Sequence, residues 1–444
     1  MTSIIKEEGS SLNHISFTFG SRIIILFFSF LIGVIIARAL GPSGKGLLAV
    51  IAMIGTTAIS LGNLGINKFN TYAISNKSVE KKHIIGNSFW LGLIIGIIFF
   101  VVILILALEL PIFFRNIPRS YLLIYLVSLP FLFWLNFFSG ILVGEQKFKT
   151  FNLFCVITQL INLIGVILLL LVFKLDVFYV VLWYALVNVI NALLPMSFVF
   201  LKNGLNLNWN FDVLKQSLNY GVKICLVGIF SLLILRVDLY MVNFFKGMAE
   251  SGLYSLASTF GDIFFIVPSS VITVMFPRIN AESKTKKESV AKYSRLSFLA
   301  VLILALGVLL FIKLFIGLIY GPEFLPAVKP ILLLLPGLIA LSVSTVLSQY
   351  FLSAGYPVKL AVCWFLAAIL NIVLNYIYIP SYGMIAAAIT STISYFFVFG
   401  FHYYFFYQET KMGFADIFVP RKAEIKSIFD RIVGFLRKDA KNSV

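Results

Sequence analysis

Apolar residues arrive in this chain in successive blocks of about twenty, separated by short polar breaks, and that rhythm restricts the fold more than any other feature. A block of that length, wound as helix at about 1.5 Å per residue, crosses a hydrocarbon core of about 30 Å. No water reaches backbone N–H and C=O groups in lipid, so a spanning segment must be a helix or part of a closed barrel. The period-two alternation of barrel strands is absent. Composition agrees, because 60% hydrophobic and 12% charged residues are more apolar surface than a soluble interior uses. The expectation is an all-α polytopic membrane protein with about twelve transmembrane helices. The blocks place them at about 12–38, 46–68, 84–108, 119–144, 150–173, 177–201, 216–245, 250–276, 292–317, 327–353, 358–379 and 383–407.

The opening MTSIIKEEGSSLNH is polar and mixed in charge, and the apolar block after it has full spanning length, unlike a cleavable signal. Cys155, Cys225 and Cys363 all sit in apolar blocks, while His14, His83 and His402 are scattered. Neither a disulfide framework nor a metal site is expected, and no cofactor. The net charge of +17 is sorted by side. With the N-terminus inside, the cytoplasmic segments hold 25 basic residues and the outer ones 8. That imbalance predicts both termini in the cytoplasm and explains the excess charge without a nucleic-acid partner.

The break ARALGPSGKGLLAV at 37–50 has a partner, FFKGMAESGLYSLA, at 244–257. Gly41 and Gly46-Leu47 match Gly247 and Gly252-Leu253 at an offset of 206. The same offset carries Gly55 to Gly261 and Leu129-Pro130 to Leu335-Pro336. It equals the spacing between the first and seventh spans, which predicts a duplicated six-helix unit. Six is even, so both copies run the same way, related by an axis along the membrane normal, with a cavity between them. The expected divisions are a lobe at 1–201, a cytoplasmic interfacial linker at 202–215, a second lobe at 216–407 and a cytoplasmic tail at 408–444. In the tail Ile425, Ile428, Phe429, Ile432, Phe435 and Leu436 oppose Lys426, Arg431, Arg437 and Lys438. That amphipathic basic pattern predicts a helix lying on membrane lipid.

Gly44-Lys45 invites comparison with a phosphate-binding loop, but the spacing fails. Such a loop needs Gly at 39 and a hydroxyl at 46, where the chain has Ala39 and Gly46. Acids and histidines are too sparse in the spans for paired-carboxylate or nucleophilic chemistry, so an enzyme is not expected.

Charges inside spans are costly and mark function or pairing. Counting from the bend near 248 places Arg236 about 18 Å below the outer surface and Asp262 about 21 Å deep. The two are positioned to pair across a helical hairpin. Asp238, two residues from Arg236, points about 200° away and is left as an ion-coupling candidate. Arg22 precedes a 14-residue apolar run and must also enter the membrane region. Lys223 lies near the inner end of the seventh span, where snorkelling competes with a binding role. Gln159, Asn162, Asn371 and Asn375 either line the cavity or join neighbouring helices.

ARALGPSGKGLLAV, LRVDLYMVNFFKGMAESGLYSLA and NIVLNYIYIPSYGMIAAAITSTISY resemble the first turn, the seventh span with its turn, and the eleventh and twelfth spans of polysaccharide flippases. Those flippases form part of the multidrug/oligosaccharidyl-lipid/polysaccharide exporter superfamily. The chain departs from them at Ala386, often Gly there, and at neutral Asn63, near a common acidic position, which weakens any coupling site in span two. The resemblance implies a transporter of undecaprenyl-diphosphate-linked oligosaccharide repeat units, of the O-antigen flippase kind, in the bacterial cytoplasmic membrane. Arg22, Arg236 and Lys223 would host the diphosphate, Asp238 or Asp262 would couple transport to an ion, and glycan polymerase machinery is the implied partner. A multidrug or cation antiporter of the same superfamily, a lipid II flippase and a non-transporting scaffold for glycan assembly stay open as alternatives.

Overall fold

The structure, a computed structural model, describes residues 2–421 except 115, 206, 282–285, 355 and 356, and also 424. The side chains of 2–16, 19, 222–227, 273, 274, 276–281 and 357 fall outside it as well. Lys223 is one of these, and the amphipathic tail pattern beyond 424 lies outside the described residues.

The described residues are helical with no strand. In chain order the helices are α1 (Thr2–Gly62), α2 (Ile66–Ser75), α3 (Lys81–Glu109), α4 (Arg119–Leu126), α5 (Leu129–Gly144), α6 (Phe148–Ile167), α7 (Val177–Asn203), α8 (Phe211–Lys246), α9 (Met248–Ala281), α10 (Lys286–Ile319), α11 (Val328–Ser353), α12 (Pro357–Thr410) and α13 (Phe414–Phe418). Among the described residues ten helical stretches are long and apolar enough to cross a membrane. Two of them are double. α1 is broken at Gly41 and α12 at Gly383, both at positive φ, so the ten make twelve passes. α4 and α5 together form the fourth pass, interrupted just before Pro130.

The internal repeat reappears in the backbone. Gly41 has φ 65° and ψ −172°, and Gly247, its equivalent, has φ 89° and ψ −176°. Side chains clash in that region, which explains why both copies retain glycine. The two bends then meet. A Cβ on Gly46 would stand 1.9 Å from the carbonyl oxygen of Met248, and one on Gly252 would stand 1.8 Å from that of Pro42. Lipid provides no hydrophobic drive between helices, so such backbone-to-backbone approach through small residues is how they are held. The two lobes therefore close on each other at equivalent glycines, at the end that carries these bends.

Each lobe has its own interior. Ile51, Leu126, Phe137 and Phe138 are buried in the first, and Tyr254, Phe264, Phe351 and Phe406 in the second. Past the last pass the chain turns back. Phe418 of α13 packs against Phe298 of α10 with ring centroids 4.9 Å apart. Buried Arg295 of α10 holds Glu424, its Nε donating to Oε2 at 2.9 Å, and also binds the Asp416 carbonyl.

Candidate substrate cavity between the lobes

A cavity of about 390 Å³ lies between the lobes. Ser29, Gly33 and Thr56 of α1 and Gln159 and Asn162 of α6 line it from the first lobe. Arg236 of α8 and Ser255, Ser258 and Thr259 of α9 line it from the second. Hydroxyls, amides and two cations face this space, and among the described residues no carboxylate lines it.

Arg236 is there because α8 is one unbroken helix from Phe211 to Lys246, which carries the arginine to mid-depth. Its Nη2 donates to both carboxylate oxygens of Asp262, at 2.9 and 3.0 Å. Nε and Nη1 have no partner among the described residues. The pair is not sealed, with Arg236 31% and Asp262 55% exposed. One nitrogen is engaged and the rest of the guanidinium fork stays available to an anion.

Asp238 points the other way, into the second lobe, where it is 2% exposed. It accepts hydrogen bonds from Tyr254 Oη at 2.5 Å, Ser391 Oγ at 2.9 Å and the Leu239 N–H at 2.7 Å. Asn371 Nδ2 donates to Ser391 Oγ at 3.5 Å, Asn375 Nδ2 donates to Asn371 Oδ1 at 2.9 Å, and Thr390 donates to Asn375 Oδ1. The structure thus places Asn371 and Asn375 elsewhere than the cavity: both are fully buried beside Asp238. The physical reason is partnership, since an amide in an apolar helix turns to its hydrogen-bonding neighbour, here the second half of α12. The outcome is a buried carboxylate held by two hydroxyl donors and a backbone N–H, with no basic side chain bonded to it among the described residues.

Gln159 and Asn162 do face the cavity. Gln159 Nε2 donates to Ser29 Oγ at 2.7 Å, while Asn162 Oδ1 is buried without a hydrogen-bond partner among the described residues. Arg22 has an exposed side chain on the first half of α1 and is absent from this lining. The cavity's second cation was missed: Lys45, from the bend after Gly41. Its ammonium sits 5.7 Å from the centre of the Tyr320 ring, and a Cβ on Gly33 would lie 3.8 Å from Nζ. Lys45 makes no ion pair among the described residues. The available signal was the glycine bend at Gly41, which reverses the chain and turns the next helix back into the protein.

The chain matches the family described as "Polysaccharide biosynthesis protein" over residues 11–283. It is 23% identical over 164 residues to the probable low-salt glycan biosynthesis flippase Agl15 of Haloferax volcanii, a match spanning 36% of this chain and 35% of that protein's length. Solved structures share its fold, two of them transporters of lipid or drugs by their descriptions. One is the lipid II flippase MurJ in an inward closed conformation, with TM-score 0.71 and 17% identity, covering 96% of this chain and 93% of that one. The other is an inward-facing multidrug resistance MATE family transporter of the MOP superfamily, with TM-score 0.69 and 16% identity, covering 88% of this chain and 96% of that one.

Proposed function

We propose that this chain, which belongs to the polysaccharide biosynthesis protein family, flips undecaprenyl-diphosphate-linked oligosaccharide repeat units across the cytoplasmic membrane for cell-surface polysaccharide. It acts as a transporter by alternating access between lobes at 1–201 and 216–407, joined by the linker at 202–215, with both termini and the 408–444 tail in the cytoplasm. The observation that carries this reading is the cavity itself. A polar space at mid-membrane depth, lined by two cations and, among the described residues, by no carboxylate, suits a diphosphate bearing sugars. Electrostatic attraction is strong there because water screens little.

Arg236 takes the diphosphate through its unengaged N–H groups, and Lys45 adds a second charge near the outer bend. Gln159, Asn162 and the serine and threonine hydroxyls meet the sugar. Arg22 and Lys223 stand, by sequence, on the cytoplasmic approach to the site. Asp238 is the coupling carboxylate. A buried charge is tolerable only when compensated, and a coupling cation or proton would compensate the carboxylate that Tyr254, Ser391 and the Leu239 N–H hold there. The multidrug antiporter alternative is weakened, because a cation substrate wants acidic walls. Glycan polymerase machinery would receive the flipped unit outside.

The test is made in a strain lacking the gene, complemented with wild type, Arg236→Ala or Lys45→Ala. The expected result is loss of polymeric surface glycan and accumulation of lipid-linked repeat units with Arg236→Ala, and partial loss with Lys45→Ala. Normal glycan in the deletion strain itself would remove the flippase reading.

A further inference from the structure

Across Met53 and Arg236 from the polar cavity lies a second hollow, of about 470 Å³. These two residues belong to both linings and form the wall between them. The new walls are apolar, with Ile54 of α1, Val102 and Leu106 of α3, and Val237 of α8 among them. Val102 is 45% and Leu106 41% exposed, so the hollow opens sideways, where a membrane protein meets lipid. Its outer end is strapped shut by the segment after α3: Tyr240 Oη donates to the Phe113 carbonyl at 2.7 Å, and Phe113 stacks on Phe244 at 5.7 Å. Arg236 is the only charged residue in this lining among the described residues.

We infer that this groove holds the hydrocarbon chain of the carrier lipid while its anionic head sits on Arg236. The inference rests on the flippase reading and adds where the chain lies and on which side it leaves the protein. Charge is the first argument. One cation in the wall of an apolar trough, its Nη2 held by Asp262 and its other N–H groups unengaged, complements an amphiphile with a diphosphate head and a long apolar chain. Depth is the second. Arg236 lies about 18 Å below the outer surface, whereas a resident phospholipid keeps its head at the edge of a core about 30 Å thick. Only a lipid whose head has left the interface brings an anion to Arg236. Continuity is the third. The shared wall lets a sugar-bearing head occupy the polar cavity while the chain stays in the groove, so no sugar enters lipid and little hydrocarbon enters water. The chain then emerges between α1, α3 and α8, and the seam of α1 against α9 stays closed at Gly46 and Gly252.

The experiment uses the full chain in nanodiscs and a short polyprenyl diphosphate carrying a diazirine near the far end of its chain. Labelling is mapped by mass spectrometry with inorganic pyrophosphate as competitor. Val102→Trp and Leu106→Trp each fill the groove from positions that already face outward, and so keep the fold. Labelling of α3 and α8 peptides in wild type, suppressed by pyrophosphate and reduced about tenfold or more in both variants, is the expected result. Labelling that maps to α9 and α10, unchanged in the filled variants, overturns the groove and leaves the flippase reading standing. Equal, pyrophosphate-insensitive labelling by a diazirine phospholipid overturns it as a site for ordinary lipid. Absence of any pyrophosphate-sensitive labelling in wild type overturns both the groove and the diphosphate site.

Discussion

Asp238 and Asp262 both neighbour Arg236, one two residues along α8 and the other across the hairpin on α9, yet they occupy opposite environments. Asp262 is 55% exposed and shares one guanidinium nitrogen, while Asp238 is 2% exposed and bonded to hydroxyls and an amide N–H. The first pairs with a cation that lines the cavity between the lobes. The second is a buried carboxylate held by two hydroxyls and a backbone N–H, proposed above as the coupling group. Position on the helix makes the difference, because Asp238, two residues from Arg236 on α8, turns into the second lobe while Arg236 turns to Asp262 of α9. A third acid, Glu424, supplies the reference case of a carboxylate paired with a buried arginine away from the cavity, Arg295 being 3% exposed.

Asp238→Asn should produce the largest separation between the two aspartates. Loss of the coupling charge is expected to reduce gradient-driven transport about a hundredfold, the effect of about 2.7 kcal/mol, and to abolish its response to sodium or proton gradients in proteoliposomes. A response equal to wild type would remove Asp238 from coupling. Arg236→Lys keeps the charge and loses the planar fork, so pyrophosphate affinity measured by calorimetry should fall about tenfold. Retained affinity would mean that the site reads charge alone.

Asp262→Asn should act in the opposite direction. Freeing Nη2 of Arg236 is expected to tighten pyrophosphate binding about threefold while leaving ion dependence unchanged. Weaker binding would show that Asp262 positions the arginine instead of competing for it. The smallest effect belongs to Glu424. The hydrogen bond from Arg295 holds its carboxyl below the ordinary carboxylate range. A lowered folded value gives stabilisation that is full above the ordinary range and lost as pH falls through the lowered one. Hydrogen exchange at α13 should therefore rise on acidification in wild type and show no such pH dependence in Arg295→Gln.

Much of this contrast was legible in the sequence, and the limits have physical causes. Span lengths follow from the thickness of the hydrocarbon core, so the passes could be placed to within a few residues. The duplication could be found because Gly41 and Gly247 share a backbone conformation that other residues avoid. The Arg236–Asp262 pairing followed from counting helix depth on both sides of one bend. Asn371 and Asn375 were harder. An amide in an apolar block signals that a partner exists, but periodicity does not say whether the partner is a cavity or another helix, and here Ser391 and Thr390 of the same broken helix decide it. Lys45 was read as an outer-bend residue because the direction of a helix after a glycine break is set by the packing of Gly46 on Gly252, which no local pattern encodes.

The central claim is that Arg236 carries the diphosphate of a lipid-linked glycan through the space between the lobes. Transbilayer movement of a polyprenyl-diphosphate disaccharide in proteoliposomes, followed by accessibility of the sugar to an added lectin, tests it most directly. Wild type and Asp262→Asn are predicted to expose the sugar, and Arg236→Ala to slow its exposure about tenfold or more. Equal movement by Arg236→Ala and wild type would contradict the account.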